Sequence, residues 1–553
     1  MFTLSGLLAT AVLSATAATT GLSPAPPAVT PLRGDLAEIV RAAAADELIP
    51  ISIVMRDQAP RSQMDQLNRI AGKQQRREAA IARLKATAQA ANGDLLATLQ
   101  AEQARGAVGK RLRALWIHNV IATEATAQVI LQLAGREDIA YINYDRPVGD
   151  EVLCGNGLTD VIPKGDGPLG GRDMDWGVSL MRAPEVWSDL GITGQGAVVG
   201  IIDTGACITH PDLINQIWNN EDEIPGNNID DDSNGYIDDI VGWNFRDDTN
   251  DPFDDHSHGT HTGGTVVGDG TNGTITGMAP DAALMVLKFW NNFGGESIVW
   301  EAMQYAVDND AHIITASIGW PHSQGPDRAT WRAVCENAIA AGVAVIYAAG
   351  NESYTPPPDS IRTPGDVPDV ITIGATDPND NIASFSSIGP ITWQNVPPYN
   401  DWPYPPGKIK PSVSAPGVDT KSTSYDCVGY LYMSGTSMAT PHVAGAAALM
   451  LEANPNLDHF GVKTALMESS IDLGAPGMDN TFGAGRVDAY EAVLYVMDDC
   501  PADFDGDGDV DTEDLLTLLG AWGTAGPDGD VDGDGDVDTA DLLALLAAWG
   551  DCP

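Results

Sequence analysis

The sequence predicts an α/β protein built around a doubly wound, mostly parallel sheet, with a small α/β domain before it and a small α-helical domain of two repeated acidic loops after it. Three observations predict this organisation. The 553 residues exceed one ordinary domain and suggest roughly three to four. Between residues 176 and 496, short apolar runs alternate with helical segments, which is typical of parallel βαβ units. Near the C-terminus, an Asp-rich loop and its following helix occur twice, 27 residues apart.

Five apolar runs predict the strands of the large sheet, and helices are expected between them, including 300–309 and 329–341. The runs are 197–202, 283–287, 312–316, 343–347 and 370–373. Open parallel sheets carry their functional residues at the carboxyl ends of the strands. Asp203 and Asn351 each come just after one of these runs, so both are candidates for a functional site.

The N-terminal domain is predicted from two β-like runs, 49–55 and 140–144, on either side of a long helical segment over residues 64–99. That segment is basic, whereas the whole chain has 77 acidic and 29 basic residues and a formal charge of −48. A charge run is usually a solvated helix face. The alternative is that this basic helix docks on the acidic domain that follows.

The strong negative charge disfavours nucleic acid and anionic lipid as partners. Residues 1–18 form a short apolar run with a small-x-small end, which predicts a signal peptide. No Lys or Arg precedes Arg33, so either the true start lies upstream or the basic region is weak. No later apolar run reaches the roughly 18 residues needed for a membrane span. We therefore expect a secreted or cell-surface, extracellular protein.

Six cysteines are an even number, and disulfides are permitted in an exported protein. The sequence supports only one pairing: Cys500 and Cys552 bracket the repeated loops and could close that domain. The alternative is that they are free, buried thiols.

Three segments that are far apart supply an acid, an imidazole and a hydroxyl, in that order. They are Asp203 in 200–205, His258 in 257–261 and Ser437 in 434–441. A serine needs a neighbouring base to become a nucleophile, and that base needs a carboxylate to orient it. Taken singly, Asp203 could cap a loop and Ser437 could be an ordinary helix N-cap. As the start of an apolar helix, however, Ser437 would lie where N–H groups stabilise an oxyanion.

These motifs, together with Ala348-Ala-Gly-Asn351, resemble the subtilisin-like (subtilase) serine peptidases across residues 178–497. The resemblance implies a secreted serine endopeptidase that cleaves proteins or peptides through an acyl-enzyme on Ser437. It implies that Asp203 orients His258, the general base, and that Asn351 is a side-chain donor of the oxyanion hole. It further implies substrate-binding residues at Ser317, Ile318, Gly319 and Gly350. His261 would be a packing residue, and the departure of 262–265 from the family pattern should have little effect.

Residues 117–126 and 133–140 resemble the inhibitory propeptide of subtilases. The resemblance implies that residues 46–148 are an inhibitory propeptide whose C-terminal end lies in the active-site cleft, and that 149–177 are a processing linker. It favours docking of the basic helix. The alternative is an unrelated N-terminal domain.

Residues 230–239 follow the pattern of calcium-binding EF loops, in which short oxygen side chains converge and a glycine permits a sharp turn. The expected structural Ca²⁺ ligands are Asp230, Asp232, Asn234, Tyr236 and Asp238. A Glu at the twelfth position is absent. The alternative is an acidic turn without a metal.

The C-terminal domain, residues 498–553, is predicted as an α-helical EF-loop pair. No Lys or Arg follows Arg486, so its clustered carboxylates should repel each other unless a metal neutralises them. The expected ligands are Asp503, Asp505, Asp507, Asp509 and Asp514, then Asp530, Asp532, Asp534, Asp536 and Asp541. The unit resembles the dockerin modules that attach enzymes to cohesin partners, although its Leu/Trp faces could simply pack against each other.

Two rival functions share parts of this pattern. One is a catalytically silent subtilase fold that serves as a binding protein, against which the complete set of Asp203, His258, Ser437 and Asn351 argues. The other is a processing enzyme of narrow specificity, which would carry every motif named above.

Overall fold

The computed structural model describes residues 32–67, 72–147, 149–154, 173–290, 295–353, 355–358, 360–497, 502–504, 509–524, 529–531 and 537–551. The predicted signal peptide and most of the predicted processing linker lie outside these ranges. None of the helices within them is both long and apolar enough to cross a bilayer.

The N-terminal unit is a four-stranded antiparallel sheet with helices packed on it. Its elements are α1 (Leu36–Ala42), β1 (Leu48–Met55), α2 (Arg61–Leu67), α3 (Lys73–Gln103), β2 (Val108–Leu115), β3 (Val120–Thr126), α4 (Ala127–Leu133) and β4 (Ile139–Tyr144). The strand order is β2-β3-β1-β4. Both predicted strands are present as β1 and β4, and the predicted helix is divided into α2 and α3. The unit begins before residue 46, because Leu32 pairs with Ile142.

The central unit contains the strands of the large sheet and several short hairpin strands. The strands are β5 (Asp173–Met174), β6 (Val198–Asp203), β7 (Gly242–Asn244), β8 (Thr274–Ile275), β9 (Ala283–Lys288), β10 (Ile313–Ala316), β11 (Ala344–Ala348), β12 (Ile371–Thr376), β13 (Trp393–Val396), β14 (Tyr399–Asp401), β15 (Val413–Pro416), β16 (Thr420–Thr423) and β17 (Tyr430–Met433). All five predicted strands are present as β6, β9, β10, β11 and β12.

Seven of these strands form one parallel sheet in the order β15-β12-β11-β10-β6-β9-β7. Along the chain, β6 is the first strand of this sheet. The strands β7 and β9 lie on one side of β6, and β10, β11, β12 and β15 follow one another outwards on the other side. The strand order therefore reverses between β6 and β10. In open parallel sheets this reversal creates a crevice at the carboxyl ends of the strands, where ligands bind. The predicted doubly wound fold is confirmed.

Helices cover both faces of the large sheet. They are α5 (Trp176–Leu180), α6 (Ala183–Glu185), α7 (His258–Val267), α8 (Glu296–Asp308), α9 (Arg328–Ala340), α10 (Thr436–Ala453), α11 (His459–Glu468) and α12 (Ala489–Met497). Alternate residues of β9 show the two faces: Leu284 and Val286 pack with α7 and α10, whereas Met285 and Leu287 pack with α8 and α9. Burial on both faces explains why these strands are almost continuously apolar.

The N-terminal unit packs on α8 and α9, and its apolar residues join the same core. The buried Arg77 donates to the carbonyls of Ala311 and Val307 at 2.9 and 2.7 Å, close to the C-terminal end of α8. Lys85 Nζ lies 2.7 Å from Asp308 Oδ1. A helix C-terminus favours positive charge. Arg77 and Lys85 therefore dock the basic helix on α8, while Arg83 of the same helix stays exposed.

The C-terminal unit is small. Its described elements are β18 (Asp509–Val510), α13 (Thr512–Ala521), α14 (Thr539–Ala547) and β19 (Gly550–Asp551). Its buried apolar core consists of Ala502, Val510, Leu518, Val537 and Leu545. On the faces predicted to pack, Leu519 and Trp522 and their repeat counterparts Leu546 and Trp549 are exposed by 43% or more, and Leu516 and Leu543 are exposed as well. The predicted packing faces are thus only partly buried.

Candidate active site

The crevice between β6 and β10 brings together residues from distant parts of the chain. Asp203 is the last residue of β6, and Ser317 follows β10 directly. Asn351 comes three residues after β11, while His258 and Ser437 lie in the first turns of α7 and α10. All five therefore lie at the same edge of the sheet, as the sequence predicts for Asp203 and Asn351.

Asp203 and His258 form a buried pair. Asp203 Oδ1 lies 2.7 Å from His258 Nδ1 and also accepts the Thr204 N–H at 2.7 Å. Both side chains are 1% exposed. With Nδ1 held against the carboxylate, Nε2 is the ring atom that can accept a proton. That Nε2 is buried and has no hydrogen-bond partner among the described residues.

The second oxygen of Asp203 is held by Thr262. Thr262 Oγ1 lies 3.1 Å from Asp203 Oδ2 and equally far from the Gly259 carbonyl one turn earlier in α7, so its proton is shared between these two acceptors. We expected the unusual 262–265 segment to have little effect, but the structure gives its first residue a direct contact with the acid. The sequence contains no signal for this contact, because it depends on how α7 faces the end of β6.

His261 faces away from this pair. Its Nε2 lies 3.1 Å from the Thr420 carbonyl, and the residue is fully buried. Burial lowers the pKa of His261 to about 4, so the ring is neutral at physiological pH. This placement agrees with the packing position expected from the sequence.

Ser437 is fully buried at the start of α10. Its Oγ donates to the Ser317 carbonyl at 2.8 Å rather than to His258. Ser317 Oγ donates in turn to the Ser437 carbonyl at 2.8 Å. The N–H of Ser437 points into the crevice, where it donates to the Cys154 carbonyl at 2.9 Å.

The amide of Asn351 is fixed by Thr436, the residue before Ser437. Asn351 Oδ1 accepts the Thr436 N–H and the Thr436 hydroxyl, each at 3.1 Å. With its oxygen held in this way, the amide presents its NH₂ group on the opposite side. Thr436 Oγ1 also accepts the N–H of Gly350 at 3.1 Å, which fixes the turn that carries Asn351.

Residues 150–154 lie in the crevice, with a 3₁₀ turn over Asp150–Val152 followed by strand-like pairing at its end. Leu153 forms an antiparallel bridge with Ile318. Gly319 N–H donates to the Val152 carbonyl at 2.9 Å, and Cys154 N–H donates to the Ser317 carbonyl at 3.2 Å. Three of the four predicted substrate-binding residues, Ser317, Ile318 and Gly319, therefore pair with the end of the chain's own N-terminal segment.

The fourth, Gly350, lies beside an ion pair that the sequence analysis did not find. Arg362 Nε donates to Glu352 Oε2 at 2.7 Å, and Arg362 Nη2 contacts Glu352 Oε1. Both residues are at most 8% exposed. Arg362 also lies 3.6 Å from Cys154 Sγ. A buried, paired arginine thus lies in the crevice beside Gly350 and Cys154.

The predicted calcium loop of the central unit gathers some of its expected ligands and not others. Carboxylate oxygens of Asp230 and Asp232 lie within 4.8 Å of each other and of Glu223, which the sequence analysis did not find. Asn234 donates to Asp232 Oδ2 at 2.9 Å. The Asp238 carboxylate instead accepts the N–H groups of 227 and 228. The seventh residue of such a loop binds the ion through its main-chain carbonyl, so Tyr236 stays a predicted ligand although its hydroxyl donates to Glu301.

In the C-terminal unit, the last predicted ligand of each loop is fully buried. Asp514 accepts the N–H groups of Phe504 and Asp511 at 2.6 and 2.8 Å. Asp541 accepts those of Val531 and Asp538, both at 2.7 Å. Asp503, Asp509 and Asp530 belong to the described residues, whereas Asp505, Asp507, Asp532, Asp534 and Asp536 lie outside them.

The cysteines pair in a way that the sequence did not suggest. Cys207 and Cys427 form a disulfide, with their Cα atoms 5.7 Å apart and 220 residues between them in sequence. Cys154 and Cys335 are free and buried. Cys500 and Cys552, the predicted pair, lie outside the described residues.

Comparison with known proteins agrees with this geometry. Residues 194–485 match the model of the subtilase family. Subtilisin Savinase of Lederbergia lenta is 31% identical over 323 residues, which cover 58% of this chain and 99% of that protein. Subtilisin DY of Bacillus licheniformis is 33% identical over 307 residues, covering 55% and 93%. Bacillopeptidase F of Bacillus subtilis (strain 168) is 30% identical over 446 residues, covering 77% and 29%. The chain therefore belongs to the subtilase family and is a subtilisin-like serine endopeptidase.

Proposed function

We propose that the endopeptidase activity uses Ser437 as nucleophile, His258 as general base and Asp203 as the residue that orients the base. The observation that carries this assignment is the buried contact of 2.7 Å between Asp203 and His258 Nδ1, which leaves Nε2 as the proton acceptor. In the reactive arrangement, the Ser437 hydroxyl turns from the Ser317 carbonyl towards Nε2. Oγ then attacks the substrate carbonyl while Nε2 takes its proton, and Nε2 returns that proton to the leaving amine.

Two donors are available for the negative charge that develops on the substrate oxygen. One is the Ser437 N–H, which holds the Cys154 carbonyl at 2.9 Å. The other is the NH₂ group of Asn351, whose amide oxygen is held by Thr436. Fixed donors of this kind stabilise the transition state without reorganising. Water then hydrolyses the acyl-enzyme by the same proton transfers in reverse order.

The N-terminal unit serves as an inhibitory propeptide in this proposal. Its sheet packs on α8 and α9, and the end of the segment that follows it lies in the crevice, where Leu153 pairs with Ile318 as a substrate strand would. Because the Cys154 carbonyl is the one held by the Ser437 N–H, the bond cut during maturation is the peptide bond on the carboxyl side of Cys154. The cut lies within the predicted 149–177 linker.

Calcium has a structural role in the proposal. Three carboxylates converge at Glu223, Asp230 and Asp232, which suits the all-oxygen ligand sets that Ca²⁺ prefers. We infer that Glu223 replaces Asp238 in the set expected from the sequence. The two C-terminal loops would bind Ca²⁺ through their aspartates, and the ion would offset the repulsion between them.

The C-terminal unit is proposed as a dockerin-like attachment module for a cohesin-like partner. The apolar side chains that α13 and α14 expose at matching positions support this role, since they are not used in the unit's own core. The proposal places the enzyme outside the cell, where the Cys207–Cys427 disulfide and calcium binding are both favourable.

A Ser437→Ala variant tests the catalytic assignment. We expect it to accumulate as an uncut precursor, to lose peptide hydrolysis and to escape labelling by a serine-directed phosphonate. Ser434→Ala is the matched control, because the Ser434 hydroxyl contacts Asp419 and not the crevice. The N-terminus of the wild-type mature enzyme should lie at residue 155. A catalytically silent wild-type protein, unlabelled by the phosphonate, would favour the rival binding function.

Asn351→Ala tests the oxyanion donor independently of the triad. The related donor of subtilisin costs about 10²–10³ in kcat when removed. We expect a similar loss here with little change in KM, because the oxyanion exists only in the transition state. A loss that appears only in KM would assign Asn351 to substrate binding instead.

A further inference from the structure

We propose that Arg362 is a specificity-determining residue that restricts the first substrate pocket to short, uncharged side chains such as Cys, Ala or Ser. The first substrate pocket is the space that holds the side chain of the residue whose carbonyl is attacked. This inference rests on the function proposed above, because the strand ending at Cys154 marks the position of the pocket only if it lies there as a substrate.

The stem of Arg362 fills the space between the two glycines that border the pocket. A Cβ atom built on Gly319 would lie 2.7 Å from Arg362 Cβ, and one built on Gly350 would lie 2.7 Å from Arg362 Cγ. Real Cβ contacts of that length are not tolerated, so Arg362 packs directly on both backbones. The volume between them is therefore occupied by the arginine and is closed to a substrate side chain.

The guanidinium group closes the end of the pocket. Arg362 Nη1 lies 3.6 Å from Cys154 Sγ, which is a single atom beyond Cβ. The same nitrogen donates to the carbonyls of Glu151 and Gly319 at 2.7 and 3.1 Å, which fixes its position. Cys154 is fully buried at this point. A leucine or phenylalanine in its place would have to displace the arginine.

The charge of Arg362 is already compensated. Glu352 engages the guanidinium with both carboxylate oxygens, and Glu352 Oε2 also accepts the N–H of Asn351 at 3.0 Å. A substrate carboxylate would compete with Glu352 for the same donors, and a substrate ammonium would face the guanidinium. Burial raises the pKa of the Cys154 thiol to about 11, so the side chain now in the pocket is itself uncharged at physiological pH.

A series of peptides that differ only at the residue before the cleaved bond provides the direct test. For the mature wild-type enzyme we expect kcat/KM for Ala or Cys to exceed that for Leu, Phe, Glu or Lys by at least tenfold. Arg362→Ala should raise the Phe/Ala ratio, which is kcat/KM for the Phe peptide divided by kcat/KM for the Ala peptide, by tenfold or more. Arg362→Met keeps most of the volume without the charge, so it should still discriminate against Phe.

Processing of the full-length precursor tests the same pocket within the chain. Cys154→Ala should be cut as fast as the wild type, whereas Cys154→Phe should be cut at least tenfold more slowly. Arg362→Ala should restore cutting of the Cys154→Phe precursor. Because Arg362→Ala leaves Glu352 unpaired, the Arg362→Ala/Glu352→Gln double variant replaces it if the single variant fails to fold.

Arg332→Met is the matched control, since Arg332 is a buried arginine of α9 paired with Asp401 at 2.8 Å. It should leave the Phe/Ala ratio unchanged.

Equal cleavage after Ala and Phe by the wild type, or an unchanged ratio in Arg362→Ala, would overturn the inference while leaving the endopeptidase assignment intact. A wild-type preference for Glu would overturn it too, because it would mean that Glu352 does not neutralise Arg362. Absence of all hydrolysis and of phosphonate labelling would instead remove the proposed function and the inference with it.

Discussion

The central and C-terminal units stabilise their acidic residues in different ways. In the central unit, the fully buried Asp366 is paired with Arg328 and His322 at 2.8 and 3.0 Å. The C-terminal unit has 17 acidic residues after Met497, no Lys or Arg, and no His. Its buried Asp514 and Asp541 accept main-chain N–H groups. One unit therefore contains basic side chains that can pair with its acids, whereas the sequence after Met497 contains none.

The core sizes reinforce this difference. Each face of the large sheet is covered by dozens of buried apolar residues, whereas the described part of the C-terminal unit has a core of five. A core of five small or medium side chains offsets little of the conformational entropy lost on folding. Under the calcium binding proposed above, metal would control folding at the C-terminus and contribute only locally to the enzyme.

Calcium removal should have the largest effect, and it should separate the two units. In full-length Ser437→Ala protein, which cannot digest itself, we expect a chelator to abolish hydrogen-exchange protection of α13 and α14. The strands β6, β10 and β11 should remain protected, because apolar burial holds them. Asp503→Ala with Asp530→Ala should reproduce the loss without a chelator. Equal protection of α13 with and without Ca²⁺ would show that the repeats fold without metal.

Acid should weaken the central unit through its buried histidines. Burial lowers the pKa of both His261 and His459 to about 4, against an ordinary value of 6.5. As the pH falls, the two histidines take up protons in the unfolded chain before they do so in the folded one. Their contribution to stability is therefore fully present above about pH 6.5 and is lost as the pH drops towards 4. The maximum loss is about 3 kcal/mol for each histidine. Urea unfolding of Ser437→Ala protein at pH 7, 5.5 and 4 measures it.

A variant that lacks His459 separates the acid sensitivity caused by this histidine from the effect of the carboxylic acids. Burial raises the pKa of Glu296 well above its usual value, so protonation of Glu296 favours the folded state as the pH falls. His459 receives the Val345 N–H and lies 2.8 Å from the Asp369 carbonyl, contacts that a glutamine can make without titrating. His459→Gln should therefore show a smaller loss between pH 6.5 and 4. The same loss in both proteins would mean that His459 is already protonated in the folded state.

The Cys207–Cys427 disulfide should stabilise the central unit and not the C-terminal one. It joins the loop after β6 to the β16–β17 hairpin across 220 residues. Closing such a long loop restricts the unfolded chain, and removing a native disulfide typically costs about 2–5 kcal/mol. Cys207→Ser with Cys427→Ser should lower the free energy of unfolding of the central unit by this amount, which is seen as a lower urea midpoint. An unchanged midpoint would show that packing alone holds the hairpin.

The sequence predicted the parts of the site that lie at the ends of apolar runs or inside recognisable motifs. Asp203 and Asn351 follow strands, and the strand pattern alone places them at one edge of the sheet. It did not predict Arg362, Glu223 or the Cys207–Cys427 disulfide. Each of these depends on contacts between loops whose relative positions are set by the completed fold, so no local periodicity or spacing reports them.

The same reasoning explains the elements that were missed. The sheet strands β7 and β15 contain only three and four residues. Their sequences, Gly-Trp-Asn and Val-Ser-Ala-Pro, contain no continuous apolar stretch, whereas the equally short β10 (Ile-Ile-Thr-Ala) begins with two isoleucines. The N-terminal unit was placed too late in the chain because its first contact, between Leu32 and Ile142, is a single bridge to a distant strand.

The smallest expected effect concerns Thr262, whose hydroxyl lies 3.1 Å from Asp203 Oδ2. In the proposed mechanism, Asp203 stabilises the positive charge that His258 acquires in the transition state, and Thr262 keeps the carboxylate in position for that task. One hydrogen bond contributes about 1 kcal/mol, so Thr262→Val should lower kcat roughly five- to tenfold with KM unchanged. Thr262→Ser keeps the hydroxyl and should restore the rate. Thr265→Val is the matched control on the same helix, because the Thr265 hydroxyl donates to the His261 carbonyl. If Thr265→Val slows kcat as much as Thr262→Val, the effect comes from the helix as a whole and not from the hydrogen bond to Asp203.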